Sequence, residues 1–495
     1  MSKSATPAEK LSKAAFHDRK LTLRTELPLA QRDLAAARAR AVVLVIAGAD
    51  GAGKSRVAQS LLAWLDPHDV TTTAFDPDTP HDAEMPAMWR YWCALPAKGQ
   101  VSLLFGSWYH RPLRDRIAGQ TSQADFLETL ARIARFEAML AHEDVCVCKL
   151  WLDLPRDIQK QRLKAAGDAD PGTDVRLREW RGLSKADRGR WDGAVDTMIQ
   201  TTSTAASPWT RIAAEDARFR DTESGRVLLE ALHPPAKTPP AEPQPPEDAA
   251  AEVAPAPPRG PAVLDSLDLG ARADKAAYQE RLHTLQHRLY KLTQARRFRE
   301  HGMVAVFEGP DAAGKGGCIR RTVRALDPRL YRVHAIAAPS DEELAHPYLW
   351  RFWRRVPPRG TLGVFDRSWY GRVLVERVEG LCSEANWKRA YREIVDFETD
   401  LAESGLIVVK FWLQISKDEQ LRRFKDREET PFKRFKITPE DWRNRANWDA
   451  HQEAAEAMIA RTDTETAPWT LVAAEDKRHA RLRVLETLCA RLEAV

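Results

Sequence analysis

Six blocks of this chain recur in one register, at the offset of 261 residues that separates Lys54 from Lys315. Gly48-Ala-Asp50-Gly-Ala-Gly53-Lys54-Ser55 returns as Gly309-Pro-Asp311-Ala-Ala-Gly314-Lys315-Gly316, and Trp89-Arg-Tyr-Trp92 returns as Trp350-Arg-Phe-Trp353. Pro96 to Gly99 pairs with Pro357 to Gly360, Ser107-Trp108-Tyr109 with Ser368-Trp369-Tyr370, Phe136-Glu137 with Phe397-Glu398, and Lys149 to Leu152 with Lys410 to Leu413. Further on, Pro208-Trp209-Thr210 matches Pro468-Trp469-Thr470 at an almost unchanged offset. Such repetition means two copies of one domain fused in tandem. A chain of 495 residues has the length for this. The copies are expected at 1–232 and 263–495. Residues 233–262, rich in Pro, Ala and Glu, form an extended linker with nothing to bury.

Within each copy, short apolar runs alternate with helical periodicity. Val42–Ala47 and Met303–Phe307 run into glycine loops followed by helical stretches ending near Leu65 and Leu326. Val333–Ala338, Leu362–Phe365, Leu406–Leu413 and Trp469–Ala473 are further strands of the second copy, and Glu384–Ser404 is a helix between two of them. Ala277–Leu292 carries apolar residues at helical spacing and leads into the second copy, with a counterpart around Leu29–Ala39. The fold class is α/β: two tandem P-loop kinase-like domains, each a mainly parallel sheet flanked by helices, with a helical lid.

Composition narrows the function classes. The 76 basic and 71 acidic residues nearly balance, and no RNP- or KH-type pattern occurs, which gives no support to a nucleic-acid partner. Met1 to Leu27 is charged and lacks an apolar signal core, and Ala41–Ala49 is too short to span a bilayer; a cytoplasmic protein with no membrane partner is expected. The six cysteines include no CxxC pair and read as buried small hydrophobes, and most of the 16 tryptophans as packing.

A strand, a GxxxxGK loop and a helix together make a phosphate cradle. The backbone N–H groups of Gly309, Ala312, Ala313, Gly314, Gly316 and Gly317 converge on phosphate oxygens, and the helix dipole adds positive charge. Lys315 supplies a full charge that can follow a transferring phosphoryl group. Such chemistry also needs a carboxylate for Mg²⁺ at the end of a neighbouring strand. Leu362-Gly-Val-Phe365-Asp366-Arg367 offers one, followed by a cation. At the fixed offset Asp366 and Arg367 correspond to Phe105 and Gly106, so the first copy has lost both. Its Ser55 could ligate Mg²⁺ through a hydroxyl. In the second copy Gly316 stands there, leaving the metal to Asp366 and Asp311. Only the second copy is expected to be catalytic.

A basic segment follows Leu406–Leu413: Leu421 to Arg427, then Phe432-Lys433-Arg434-Phe435-Lys436, before a helix start at Thr438-Pro439-Glu440-Asp441. This is a lid-like placement, and the first copy has Ala165-Ala-Gly-Asp-Ala-Asp170-Pro-Gly instead. Arg320, Arg321 and Arg324 after the loop, with Arg372 and Arg377, give more positive charge than a triphosphate needs; a long polyanionic donor explains the excess.

Phe307 to Gly317, together with Phe365-Asp366-Arg367-Ser368-Trp369-Tyr370-Gly-Arg372, resembles polyphosphate kinase family 2, and the duplication is similar to its fused two-domain members. That resemblance implies a fold like thymidylate kinase, inorganic polyphosphate as donor, a nucleoside monophosphate (AMP) as acceptor, ADP as product, and chemistry in the second domain. It also implies roles for Asp311 and Asp366 as metal-holding acids, Lys315 as loop lysine and Arg367 as adjacent arginine. Arg320, Arg372, Arg427, Lys433 and Arg434 fall to phosphate binding. Pro310 departs from the pattern and stiffens the loop. Transfer to nucleoside diphosphates, an ATP-dependent nucleotide kinase and a non-enzymatic polyphosphate- or nucleotide-binding scaffold stand as alternatives. A homo-oligomer is compatible with the sequence.

Overall fold

The computed structural model describes residues 10–75, 79, 81–169, 185–233 and 263–495, so nearly all of the expected linker lies outside the described residues. The chain divides into two compact units with one five-stranded sheet each. The first sheet comprises β1 (Ala41–Gly48), β2 (Val70–Ala74), β3 (Val101–Phe105), β4 (Val145–Asp153) and β5 (Trp209–Ala213), in the order β2-β3-β1-β4-β5. The second comprises β6 (Met303–Glu308), β7 (Tyr331–Ala335), β8 (Leu362–Asp366), β9 (Ile407–Gln414) and β10 (Trp469–Ala473), in the same order, β7-β8-β6-β9-β10. The strand pairings described are all parallel, and even the register repeats: Ile46 sits opposite Phe105, and Phe307 opposite Asp366. β6 is buried along its whole length, which is why it reads as an unbroken apolar run and not as an alternating one.

Several boundaries differ from the sequence reading. The lead-in helix of the first copy spans Lys13–Ala37, far beyond Leu29–Ala39, and passes through Pro28. Ser12 caps it, and Leu23, Leu27, Ala30 and Leu34 bury one face, which outweighs the proline. β7 begins two residues earlier than expected and ends at Ala335. The basic segment is not a loop throughout. Leu421 to Arg427 lies inside the helix Lys417–Glu429, whose start is fixed by the Ser416 cap and by Asp418 and Glu419 in its first turn. A short 3-10 segment, Pro431–Lys436, then leads to the helix Pro439–Ala446, closed by a Thr438–Asp441 capping box.

Each sheet buries one lysine completely. Lys410 Nζ donates to Glu398 Oε2 (2.7 Å), the Tyr370 hydroxyl (3.0 Å) and Thr462 O (2.7 Å). Trp369 Nε1 and the Tyr370 hydroxyl donate to Glu398 Oε1 at 3.0 and 2.7 Å. Burial pushes the Glu398 carboxyl up and the Lys410 ammonium down, each opposed by the other's charge. Lys149, Glu137, Tyr109, Trp108 and Thr202 repeat this cluster in the first unit. It anchors the Trp-Tyr pair that directly follows Asp366-Arg367-Ser368, and so fixes where the end of β8 points.

Candidate active site

β6 ends at Glu308 and the chain turns sharply at Gly309, where φ is +136°. A Cβ there would lie 2.4 Å from Leu413 O, so only glycine lets the loop pass β9. The loop then reaches Gly314 (φ +114°), which opens the helix Lys315–Val323. Over the start of that helix lies a cavity of about 990 Å³. Asp311, Ala312, Ala313, Gly314, Lys315, Gly316, Gly317, Arg320, Asp366, Arg367 and Arg427 all line it.

The two glycines after Lys315 face different walls. A Cβ on Gly316 would stand 3.9 Å from Asp366 Oδ2, whereas one on Gly317 would stand 3.7 Å from Arg481 Nη2. One side of the helix start therefore carries an acid and the other carries cations. Lys477, one turn before Arg481 on the same helix, and Arg320 also line the cavity. No carboxylate partner is found for Arg320, Lys477 or Arg481 among the described residues; Arg481 reaches only the Tyr278 hydroxyl, at 3.4 Å.

On the acidic side, Arg367 Nη2 donates to Asp311 Oδ1 (2.9 Å) and Asn444 Nδ2 donates to Asp311 Oδ2 (2.8 Å). Burial raises the Asp311 carboxyl, but Lys315, Arg367 and Asn444 outweigh it and hold it below the usual carboxylate range. Glu440 adds a second contact to Arg367 at 3.5 Å. Lys315 Nζ rests on the Gly309 and Pro310 carbonyls at 2.5 and 3.3 Å. Asp366 is half-buried, and its carboxylate has no protein partner among the described residues. Carboxylate oxygens are the ligands that a hard cation takes, and no cluster of three metal-binding side chains occurs among the described residues. This donor set suits Mg²⁺, which keeps water and phosphate oxygens in its shell and needs few protein ligands.

The remaining expected residues are placed less centrally. Gly309 lines a smaller cavity of about 90 Å³ behind Asp311. Arg372 pairs with Glu376 at 2.9 Å, and Arg434 Nε donates to Glu428 O at 2.7 Å; neither lines the main cavity. The Lys433 side chain lies outside the described residues.

Five residues were given no role by the sequence reading, Asn444 among them. Arg423, almost fully buried, ties the loop to the sheet: it donates to Ala312 O and Ala313 O (2.9 Å each), Ala474 O (2.7 Å) and Glu475 O (2.8 Å). Its twin Arg162 holds Gly51 O, Ala214 O and Glu215 O in the same way, so a search for differences between the copies passes over it. Lys477 and Arg481 correspond to Ala217 and Asp221, and Glu308 to Ala47, a signal that was present.

In the first unit the loop is built but differently populated. Lys54 is paired with Asp50 at 3.0 Å. Arg220, at the position of Ala480, donates to Ala52 O (3.1 Å) and lies so close that a Cβ on Gly53 would meet its Nη1 at 2.0 Å. Two left-handed backbone positions are glycine there, Gly51 (φ +81°) and Gly106 (φ +85°). The second unit holds the same conformation with Ala312 and Arg367, both at φ +63°. Non-glycine residues in this region carry strain of about 1 kcal/mol or more, and such strain collects at functional sites.

Comparison with known proteins agrees with this geometry. A family profile described as Polyphosphate kinase 2 (PPK2) matches residues 10–240 and 272–495. A protein of Pseudomonas aeruginosa named Polyphosphate:AMP phosphotransferase is 45% identical over 100% of this chain and 99% of its own length. One of the same name from Pseudomonas syringae pv. tomato is 44% identical over 95% of this chain and 94% of its own. A crystal structure described as a putative polyphosphate kinase 2 from Pseudomonas aeruginosa superposes with a TM-score of 0.86 at 43% identity, covering 100% and 99% of the two chains.

Proposed function

The chain belongs to the polyphosphate kinase 2 family, and from that we infer that it transfers the terminal phosphoryl group of inorganic polyphosphate to AMP, giving ADP. The observation that carries this reading is the full-length likeness to polyphosphate:AMP phosphotransferases, joined to a loop, acid and arginine set complete only in the second unit. In the transfer, an AMP phosphate oxygen bonds to the terminal phosphorus of the chain. The bridging P–O bond breaks, and its electron pair leaves with a polyphosphate one unit shorter. The attacking oxygen is already ionised at neutral pH, so no strong base is required, and positioning and charge neutralisation lower the barrier.

The residues divide accordingly. The loop amides from Ala312 to Gly317 and Lys315 hold the transferring phosphoryl group. Arg367 turns from Asp311 to clamp the acceptor phosphate on the acidic side. Asp366 and Asp311 would hold Mg²⁺, which when bound neutralises charge on the phosphate oxygens. Lys477, Arg481 and Arg320 also line the cavity, and cations without a carboxylate partner among the described residues suit the rest of the donor chain. Replacing Lys477 and Arg481 together by alanine should raise KM for polyphosphate about tenfold while KM for AMP stays within about twofold. Steady-state kinetics with each substrate varied in turn checks this. The first unit, without counterparts of Asp366, Arg367, Lys477 and Arg481, is assigned a structural role. Among the described residues the six cysteines form no disulfide, and the sequence has no CxxC pair; this suits a reducing compartment, and we place the reaction in the cytoplasm on that ground.

The direct test supplies polyphosphate and AMP without ATP and follows ADP. Formation of ADP is expected from the full chain and from Lys54→Ala, and a loss of at least about a hundredfold from Lys315→Ala. ADP formation only after ATP is added would instead make the protein an ordinary nucleotide kinase.

A further inference from the structure

Glu308 is a buried carboxylate to which the mechanism above gives no task. It ends the central strand β6, is 4% exposed, and accepts a hydrogen bond from Ser368 Oγ at 2.8 Å. An acid in such a place is costly to desolvate unless cations and hydrogen-bond donors around it compensate. Burial pushes its carboxyl up, while Lys315, the Ser368 bond and Arg367 pull the other way.

The surroundings identify the need. Ser368 follows Arg367, the residue held at φ +63°, and its Oγ also accepts the Tyr370 backbone N–H at 3.3 Å, capping the short helix Trp369–Arg372. Arg367 N donates to Phe307 O at 3.1 Å, so the strained residue is tied to β6 just before Glu308. A long side chain in the left-handed region relaxes unless its flanks are fixed. The first unit offers the natural control. There the turn residue is Gly106, which adopts φ +85° without strain, and the position of Glu308 is Ala47; among the described residues the Ser107 Oγ makes only the cap to Tyr109, at 3.4 Å. Carboxylate and strained arginine are present together or absent together, while the serine remains in both.

We propose that Glu308 is a positioning residue: through Ser368 it holds Arg367 in its left-handed backbone conformation and so aims the guanidinium at the acceptor phosphate. The kinetic side of this rests on the acceptor role of Arg367 proposed above; the conformational side does not.

The test uses the full chain with Glu308→Ala, Glu308→Gln, Arg367→Ala and the double variant Glu308→Ala/Arg367→Ala. Glu308→Ala should raise KM for AMP about tenfold and leave KM for polyphosphate within about twofold. Glu308→Gln, whose amide oxygen can still accept the Ser368 hydroxyl, should stay within about threefold of the parent. The double variant should be no worse than Arg367→Ala alone, because a residue that acts through another adds nothing once that other is gone. Multiplying effects of the two substitutions, equal rises in both KM values, or a glutamine variant as impaired as the alanine one would each overturn the proposal. A second readout needs no substrate. Arg367→Gly relieves the backbone strain, so it should restore thermal stability in the Glu308→Ala background by more than it changes the parent. An equal shift in both backgrounds would refute the clamp even if AMP proved not to be the acceptor.

Discussion

Replacing Asp366 by asparagine should cut turnover by about a thousandfold and leave the melting temperature nearly unchanged. The two halves of this expectation come from the same geometry. Asp366 ends β8 with its backbone engaged, since its carbonyl accepts Ile336 N at 3.0 Å, while the carboxylate has no partner among the described residues. Its removal therefore breaks no internal bond, and substitutions of that kind shift stability by about 0.5 kcal/mol or less. What is lost is the negative charge facing the loop, 3.9 Å from where a Gly316 Cβ would stand. Asparagine keeps size and shape but is a poor ligand for a hard cation. A variant that keeps near-normal turnover with a normal melting curve would remove Asp366 from the metal-holding pair and leave Asp311 as the one acid assigned to the metal. Comparison with the first unit sharpens the expectation, because Phe105 occupies the same register opposite Ile46, and nothing about the strand had to change when the acid was lost.

The largest effect on stability should come from Lys410→Met, which strands Glu398 in the core. Breaking a buried pair from one side costs about 3–5 kcal/mol, because an uncompensated buried charge remains. For a unit of this size that lowers the melting temperature on the order of 10 °C. Glu398 would keep the bonds from Trp369 and the Tyr370 hydroxyl and lose both the hydrogen bond from Lys410 and the charge opposite it. Combining Lys410→Met with Glu398→Leu should recover a large part of the loss, since the pair removed together leaves no buried charge. Differential scanning calorimetry on the three variants decides it. A single substitution costing less than about 1 kcal/mol would mean that the pair is neutralised in the folded chain and contributes little.

How far the sequence foretold these features depends on what each residue's signal competes with. The strands were legible because buried parallel strands leave unbroken apolar runs, and Trp469–Ala473 emerged with both ends as read. Asp366 was legible because an acid directly after such a run stands out. Glu308 has the same placement on β6, yet it sits beside a glycine loop that already explains a polar residue, and its twin Ala47 drew no notice. Asn444 was invisible because a polar residue on a charged helix has no contrast. It acquires meaning only when Pro439–Ala446 is seen to reach back 133 residues to Asp311. A helical lid was expected, but the bounds of its helix were harder to read for a related reason: Lys417–Glu429 is almost wholly polar, and its caps mark it better than its periodicity does. Lys410 marked the repeat but not its own role, since a lysine within an apolar run explains itself only when its three acceptors are seen.

The left-handed turn after β8 gives the duplication a direction in time. Glycine can replace a strained residue at little conformational cost, so passage from Arg367 to a residue like Gly106 runs downhill. The return does not. An arginine placed at 106 would meet the full strain of φ +85° with no carboxylate at 47 to hold it. That step is unfavourable until an acid stands at 47. In a copy with glycine at this turn, the fold itself stands in the way of gaining the arginine.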